Sequence, residues 1–182
     1  LNYFGFDSET KMLRQNGDTN EHEEEDDEEL SKEEAKEYRG LAARFNFLAL
    51  DCPDLQFPVK PACRDMANPK RSSWTKLKKC ARYLLSRDRI VWFYCWQKEQ
   101  DSATLSTDSD WGGNKMDRKS TSGGSWMIGE HCINTWSAAQ GAYALSSAEA
   151  EFYAIIEGVT RAKGLWSLAS EMGFNNLSKV VY

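Results

Sequence analysis

The order of the elements between residues 104 and 172 constrains the fold most strongly. Three short β-type runs, at 104–110, 122–129 and 132–136, are separated by turns that contain glycine, and a long helical pattern follows them. Short connections between consecutive strands favour antiparallel pairing. The sequence therefore predicts an α/β domain in which three antiparallel strands precede one long helix.

The long helix has recognisable signals at both of its ends. Ser146 and Glu149 have the S-x-x-E spacing of a capping box, which predicts Ser146 as the N-cap and Glu149 as its partner. Apolar residues recur at helical spacing from there to about Met172, and Gly173 is a stop signal. Beyond this helix, residues 178–182 indicate the start of a fourth strand.

Acidic residues lie on both the first strand and the helix. Asp108 and Asp110 fall at the end of the strand, and Glu149 and Glu151 fall in the first turns of the helix. Divalent cations such as Mg²⁺ take oxygen ligands and are often held by one or two carboxylates together with substrate phosphates. Acids from the two elements are therefore candidates for a shared cation site.

Five sequence blocks carry a resemblance to a known family. Residues 107–113 (TDSDWGG), 117–123 (DRKSTSG) and 144–152 (ALSSAEAEF) resemble the ribonuclease H domain of copia-type LTR retrotransposon Pol polyproteins. Residues 38–41 (YRGL) and 52–55 (CPDL) are similar to the segment that follows the reverse transcriptase core of the same family. The resemblance implies a ribonuclease H-like mixed sheet preceded by a small helical connection segment.

The resemblance also implies an active site. It matches Asp108 and Glu151 to the family's catalytic, metal-binding acids, with Glu149 as the structural alternative to Glu151. Asp110 is either a further contributor to the metal site or an ordinary acid at a strand end. The implied cofactor is Mg²⁺ or Mn²⁺, and the implied reaction is two-metal hydrolysis of the RNA strand of an RNA–DNA hybrid.

Two sets of polar residues are candidates for nucleic-acid contacts. Arg118, Lys119, Ser120 and Ser122 are either phosphate and sugar contacts or turn and strand-entry residues. Residues 70–85 predict an amphipathic helix whose polar face is cationic, and aligned cations can follow a phosphate backbone. An ordinary solvated face is an equal alternative there. The cations of this face are Lys76, Lys78, Lys79 and Arg82.

Charge is segregated along the chain, whose formal net charge is −5. Residues 21–37 contain 11 acids and two lysines, and residues 60–89 contain 10 lysines and arginines and two acids. Repulsion within the acidic block predicts an extended, solvated linker, with an acidic interaction module as the alternative. We thus predict a mostly disordered linker at 1–37, a helical connection region at 38–100 and the N-terminal part of a ribonuclease H-like domain at 101–182.

The connection region carries three local predictions. Ser31 and Glu34 form a second capping box, which starts a helix that Pro53 ends. The next helix, over about 54–67, should be kinked or broken by its two internal prolines. The apolar run 90–96 (IVWFYCW) reads as a buried strand.

The expected context follows from these features. No apolar run is long enough for a membrane span, and the five scattered cysteines indicate reduced thiols. The resemblance implies a cytoplasmic virus-like particle or the nucleus as the location, and the rest of the Pol polyprotein as a partner. In the family the next catalytic acid follows the fourth strand, so this chain is expected to be inactive alone. The alternative is a decayed or domesticated remnant that only binds nucleic acid.

Overall fold

The chain divides into two compact units, Leu1–Val91 and Trp92–Tyr182. The predicted acidic linker falls partly outside the part of the chain that can be described, since residues 21–26 are not included. The structure is a computed structural model that describes residues 4–6, 10–13, 27–87, 89–114, 117–174 and, for the backbone only, 179–181.

Three helices make up the described part of the first unit: α1 (Lys32–Leu48), α2 (Pro53–Arg64) and α3 (Arg71–Ser86). The predicted capping box begins α1, because Ser31 Oγ accepts from the Glu34 amide at 3.3 Å and the Ser31 amide donates to Glu34 Oε2 at 3.0 Å. One apolar face of each helix enters a shared core. Its largest fully buried side chains are Tyr38, Leu55, Val59, Leu77 and Cys80.

The second helix was predicted to be kinked or broken; the break is wrong, and the kink stays a prediction. Helix α2 is continuous although Pro58 and Pro61 lie inside it, and each proline removes one backbone donor. Leu55 and Val59 are almost completely buried in the shared core. We attribute the continuity of α2 to this burial, which offsets the loss of two hydrogen bonds. The α2 backbone also takes part in core contacts, because the Tyr38 hydroxyl donates to its Ala62 carbonyl at 2.6 Å.

The end of the acidic block is not a free linker. Asp27 accepts hydrogen bonds from the Ser72 amide at 2.9 Å and from the Ser72 hydroxyl at 2.5 Å. The Glu28 carbonyl accepts from the Arg71 amide at 3.0 Å. The first amides of a helix lack partners inside the helix, so this segment caps α3 from outside. Burial alone would raise the pKa of the Asp27 carboxyl, but the two Ser72 hydrogen bonds outweigh it and hold that pKa below its ordinary value.

The second unit contains a mixed four-stranded sheet and one long helix. The strands are β1 (Ser102–Asp110), β2 (Thr121–Ile128), β3 (His131–Ala139) and β4 (Lys179–Val181), in the order β3-β2-β1-β4. The first three strands pair antiparallel, and β4 runs parallel to β1. This arrangement confirms the predicted fold class, including the start of the fourth strand.

Helix α4 (Ser147–Glu171) lies against β1 and β2 through small residues. Its N-cap is Ser146, as predicted, and Gly173 follows its end with a φ of 89°. Its buried positions are four residues apart, and the large apolar residues Phe152 and Ile156 are exposed. A stripe of small side chains lets a helix approach a sheet closely. The stripe consists of Ala150, Ala154, Gly158 and Ala162.

The prediction that residues 90–96 form a buried strand is wrong. The segment has no regular structure, and Phe93 and Trp96 are 78% and 87% exposed. Side chains tie the chain here to the β2–β3 turn: Gln97 donates to the Ile128 carbonyl at 2.9 Å and accepts from the Glu130 amide at 3.0 Å. An apolar run alone does not specify a ladder of backbone hydrogen bonds.

Among the helices that the structure describes, none has the length and apolar character that a membrane crossing requires.

Candidate active site

Glu151 lies beside the end of β1. Its Oε1 accepts a hydrogen bond from the Ser109 amide at 3.3 Å, and that amide belongs to the peptide bond between Asp108 and Ser109. Side chains alternate along a strand, and Thr107 faces α4, so Asp108 points to the opposite face of the sheet. The structure therefore brings the two predicted catalytic acids to the same peptide group from opposite faces.

The Glu149 carboxylate accepts hydrogen bonds within the protein and has a structural role. Its Oε2 accepts from the Leu145 amide at 2.7 Å, and its Oε1 accepts from the Tyr153 hydroxyl at 2.9 Å, which raises the pKa of Tyr153. The predicted capping box thus forms only in part: Ser146 Oγ accepts from the Glu149 amide at 3.2 Å, but the Glu149 carboxylate bonds one residue further upstream. Both Glu149 oxygens are engaged within the protein.

Asp110 closes the turn out of β1. Its Oδ1 accepts from the Thr121 amide at the start of β2. Its Oδ2 packs against Gly113 so closely that a β-carbon there would overlap it. Within the described residues, by contrast, the exposed Asp108 carboxylate has no hydrogen-bond partner. Asp110 therefore has the contacts of a residue that holds the turn.

Two predicted nucleic-acid contacts lie in the loop that joins the acid-bearing end of β1 to β2. Arg118 is exposed, has a φ of 51°, and lays its guanidinium along Gly112. Lys119 Nζ lies 5.7 Å from the centroid of the Tyr143 ring. Tyr143 and Trp111 are more than half exposed at this same end of the sheet, and the interpretation of the sequence missed both. An exposed arginine, a half-buried lysine and two exposed aromatic rings thus lie at the acid-bearing end of β1.

The other two predicted contacts in this region are not on the surface. Ser120 and Ser122 are 1% and 0% exposed, so neither hydroxyl reaches a nucleic acid in this structure. Ser120 Oγ accepts from the Gly112 amide at 3.0 Å, and Ser122 Oγ accepts from Gln140 Nε2 at 3.0 Å. Ser120 and Ser122 therefore have turn and strand-entry roles, which were the alternative to nucleic-acid contacts. Gln140 itself carries no sequence signal, because its contacts are all tertiary.

The cationic face predicted on α3 is partly used within the first unit. Lys76 forms an ion pair with Asp65 at 3.0 Å, and Arg82 Nε donates to the Lys11 carbonyl at 2.6 Å. Lys79 is half-buried and Lys78 is exposed. Among the four cations of this face, Lys78 is the most accessible to solvent.

The two acids are of the donor type that a hard divalent cation takes, and joint binding of one ion would require the Asp108 side chain to turn toward the α4 face. A carboxylate pair supplies the oxygen donors that Mg²⁺ and Mn²⁺ take, with water or phosphate oxygens completing the coordination. Asp108 is exposed and its oxygens are unpaired in the described chain, which leaves them available. No group of three or more His, Cys, Asp or Glu side chains among the described residues could hold a metal ion. The pair therefore does not by itself make a two-ion site.

Known proteins with similar sequences identify the family. No protein-family model matches the chain, and no solved structure matches it. The chain is 31% identical over 139 residues to the "Retrovirus-related Pol polyprotein from transposon RE2" of Arabidopsis thaliana, covering 75% of this chain and 9% of that protein. The corresponding protein from transposon RE1 of the same plant is 30% identical over 139 residues, with the same coverage.

A third relative is much shorter. The "Secreted RxLR effector protein 161" of Plasmopara viticola is 31% identical over 112 residues, which is 60% of this chain and 77% of that protein. The similarity to the two Pol polyproteins shows that the chain belongs to the copia-type retrotransposon Pol polyproteins. It spans about 9% of the length of the two Pol polyproteins that it matches.

Proposed function

We propose that the second unit is the part of a ribonuclease H-type nuclease that contributes its first two metal-binding acids, Asp108 and Glu151. The observation that supports this proposal is the hydrogen bond from the Ser109 amide to Glu151 Oε1, which holds Glu151 at the residue that follows Asp108. The substrate would be the RNA strand of an RNA–DNA hybrid. The similarity to two Pol polyproteins supports the Pol context, and the substrate class follows from the resemblance of the motifs.

The residues of the chain would have distinct roles. Asp108 and Glu151 would hold Mg²⁺ or Mn²⁺, which when bound activates water and stabilises charge on the leaving oxygen. The Ser109 amide orients the Glu151 carboxylate. Arg118 and Lys119 would neutralise backbone phosphates, and recognition of a hybrid would rest on groove shape and 2′-hydroxyl contacts.

Cleavage by two ions needs more carboxylates than this pair. A two-metal site holds its ions about 4 Å apart, which takes a cluster of acids. We propose that another part of the Pol polyprotein supplies the remaining acids. The chain by itself should therefore bind a cation and a hybrid, and turnover should require that further part.

Metal binding by the full chain tests the assignment of the acids. Mn²⁺ is titrated into ¹⁵N-labelled protein, and broadening of the Ser109 amide signal is followed. Asp108→Asn and Glu151→Gln should each weaken binding by more than about tenfold, whereas Glu149→Gln, whose carboxylate is engaged elsewhere, should not. Loss of binding in Glu149→Gln alone would show that the acids are wrongly assigned.

Hybrid binding tests the proposed phosphate contacts. Fluorescence anisotropy with a labelled RNA–DNA hybrid is measured across a range of salt concentrations. Arg118→Ala and Lys119→Ala should each reduce the salt slope by about 1, and Lys163→Ala, an exposed cation on α4, should not. Hybrid binding that persists while Mn²⁺ binding at Ser109 is absent would favour a protein that only binds nucleic acid.

A further inference from the structure

The Gln140 side chain joins the sheet to the first turn of α4. It follows β3 directly and is 6% exposed. Its Nε2 donates to Ser122 Oγ of β2 at 3.0 Å and to the Ala150 carbonyl of α4 at 2.9 Å. The backbone N–H of Gln140 also donates to the Ser120 carbonyl at 2.8 Å. One side chain thus uses both of its N–H groups to connect a strand with a helix.

These contacts lead back to Glu151. The Ala150 carbonyl that Gln140 holds belongs to the peptide bond between Ala150 and Glu151. Ser122, the other acceptor, lies opposite Ser109 in the β1–β2 register, and the Ser109 amide donates to Glu151 Oε1 at 3.3 Å. Gln140 therefore closes a ring of contacts that fixes Glu151 at its backbone and at its carboxylate.

Two buried polar atoms of residues in this ring lack hydrogen-bond partners among the described residues, and this cost argues against a purely structural role of Gln140. Gln140 Oε1 and Ser109 Oγ are buried and have no hydrogen-bond partner in the described part of the chain. A buried polar atom without a partner costs free energy, and an apolar side chain of the same shape would avoid that cost. The amide is therefore unfavourable as core filling, and its two donated hydrogen bonds are what it contributes.

We infer that Gln140 is a positioning residue for the Glu151 carboxylate. It holds the peptide group before Glu151 against β2, so that the carboxylate reaches the Ser109 amide at the end of β1, where it would be available to a divalent cation. This inference rests on the proposed function, because it concerns the same cation site. A first turn of α4 without this restraint would still form, but Glu151 would no longer be held at the end of β1.

Gln140→Met tests the inference, because methionine has a similar length and volume and makes no such hydrogen bonds. In the ¹⁵N-labelled full chain, we expect the apparent Mn²⁺ dissociation constant at Ser109 to rise about tenfold, as when a hydrogen-bond partner of a metal ligand is removed. Without metal, Ser109 amide exchange should accelerate as much as it does in Glu151→Ala, which removes the acceptor. Tyr153→Phe, which removes a hydrogen bond to Glu149 in the same part of α4 but outside this ring, is the matched control and should change neither quantity appreciably.

Each outcome has a defined meaning. Unchanged Ser109 exchange in Gln140→Met overturns the inference, as does an equal change in Tyr153→Phe, which would indicate general loosening of this part of α4. Failure of the proposed function is distinguishable: Mn²⁺ broadening would be absent in the wild type or would persist in Asp108→Asn. The metal-free exchange measurement still decides the role of Gln140 in that case. If Gln140→Met does not fold, Gln140→Asn, whose amide is one methylene shorter, takes its place with the same expectations.

Discussion

Gly158 of α4 lies so close to β1 that a β-carbon at this position would be 2.5 Å from Thr107 Cγ2 and 3.3 Å from a Leu105 methyl group. No side chain larger than hydrogen fits there without movement. The close approach brings the N-terminal turns of α4 to the end of β1. The contact between Glu151 and Ser109 thus depends on a glycine seven residues further along the helix.

We therefore predict that Gly158→Ala destabilises the second unit. Overpacking costs about 1–3 kcal/mol, and the better helix propensity of alanine offsets about 1 kcal/mol of it. Gly164→Ala is the matched control, because a β-carbon there meets nothing within 4 Å and the variant should be stabilised. Hydrogen exchange of the Leu105 amide measures both effects. Slower exchange in both variants would contradict the close packing.

A second glycine pair gives the same test within the sheet. A β-carbon at Gly124 would lie 2.7 Å from the Ser106 carbonyl oxygen and would overlap the Trp136 ring, whereas one at Gly123 would be 3.8 Å from its nearest neighbour. Gly124→Ala should cost about 1–3 kcal/mol through overpacking, and Gly123→Ala should stay within about 0.5 kcal/mol. Urea unfolding followed by tryptophan fluorescence compares them, and equal losses would refute the difference.

Substitutions of Asp108 and of Asp110, the two acids of β1, should differ in their effect on stability. Asp110→Ala removes the acceptor for the Thr121 amide and should destabilise the fold by about 1–3 kcal/mol. Asp108→Ala changes an exposed side chain and should alter stability by less than about 0.5 kcal/mol. Thermal unfolding of the two variants checks this. A larger loss in Asp108→Ala would indicate that the roles of the two acids are exchanged.

Local signals in the sequence were enough for the elements around the site. Ser146 starts α4 and Gly173 follows its end, because caps and stops depend on neighbouring residues. The strands were found within about three residues, since short connections leave few alternatives for their pairing. Asp108 and Glu151 could be named only through the resemblance, because spacing alone does not distinguish Glu151 from Glu149.

Tertiary contacts decided what the sequence did not. Residues 90–96 are as apolar as a buried strand, but Gln97 fixes the adjoining chain to a turn by side-chain hydrogen bonds. The internal prolines of α2 are tolerated where its apolar face is buried. Gln140 is a lone polar residue in the sequence, and only the fold shows that it reaches both β2 and α4.

Asp27 should make stability depend on pH in the acidic range. Hydrogen bonds from Ser72 hold the pKa of its carboxyl below the ordinary 3.8 despite partial burial. The stabilisation is therefore complete above that value and is lost as the pH falls through the lowered pKa. Asp27→Ala should cost about 1 kcal/mol at pH 7, as for the loss of a helix cap, and progressively less below pH 3.8.

Urea unfolding at pH 7 and at low pH measures this effect. Glu33→Ala, which changes an exposed acid in the first turn of α1, is the control for the general effect of removing a negative charge. A cost of Asp27→Ala that stays the same down to low pH would show that the carboxylate charge does not contribute.

Tyr83 should make stability depend on pH in the alkaline range, in the direction opposite to that of Asp27. Its hydroxyl donates to Asp54 Oδ2, and burial, followed by this hydrogen bond, raises the pKa of Tyr83 from 10.0 to about 12. The raised pKa means that the stabilisation is complete below pH 10.0 and is lost as the pH rises through about 12. Tyr83→Phe should therefore cost about 1 kcal/mol at pH 7, and the difference from the wild type should shrink over that interval.

Urea unfolding of the full chain at pH 7, 10 and 12 provides the comparison. Tyr94→Phe is the control, because the Tyr94 side chain is more than half exposed and its hydroxyl makes a longer bond of 3.2 Å to the Cys132 carbonyl. Its effect should be small. A cost of Tyr83→Phe that stays constant up to pH 12 would show that the pKa of Tyr83 is the same in the folded and the unfolded chain, which would contradict the raised pKa.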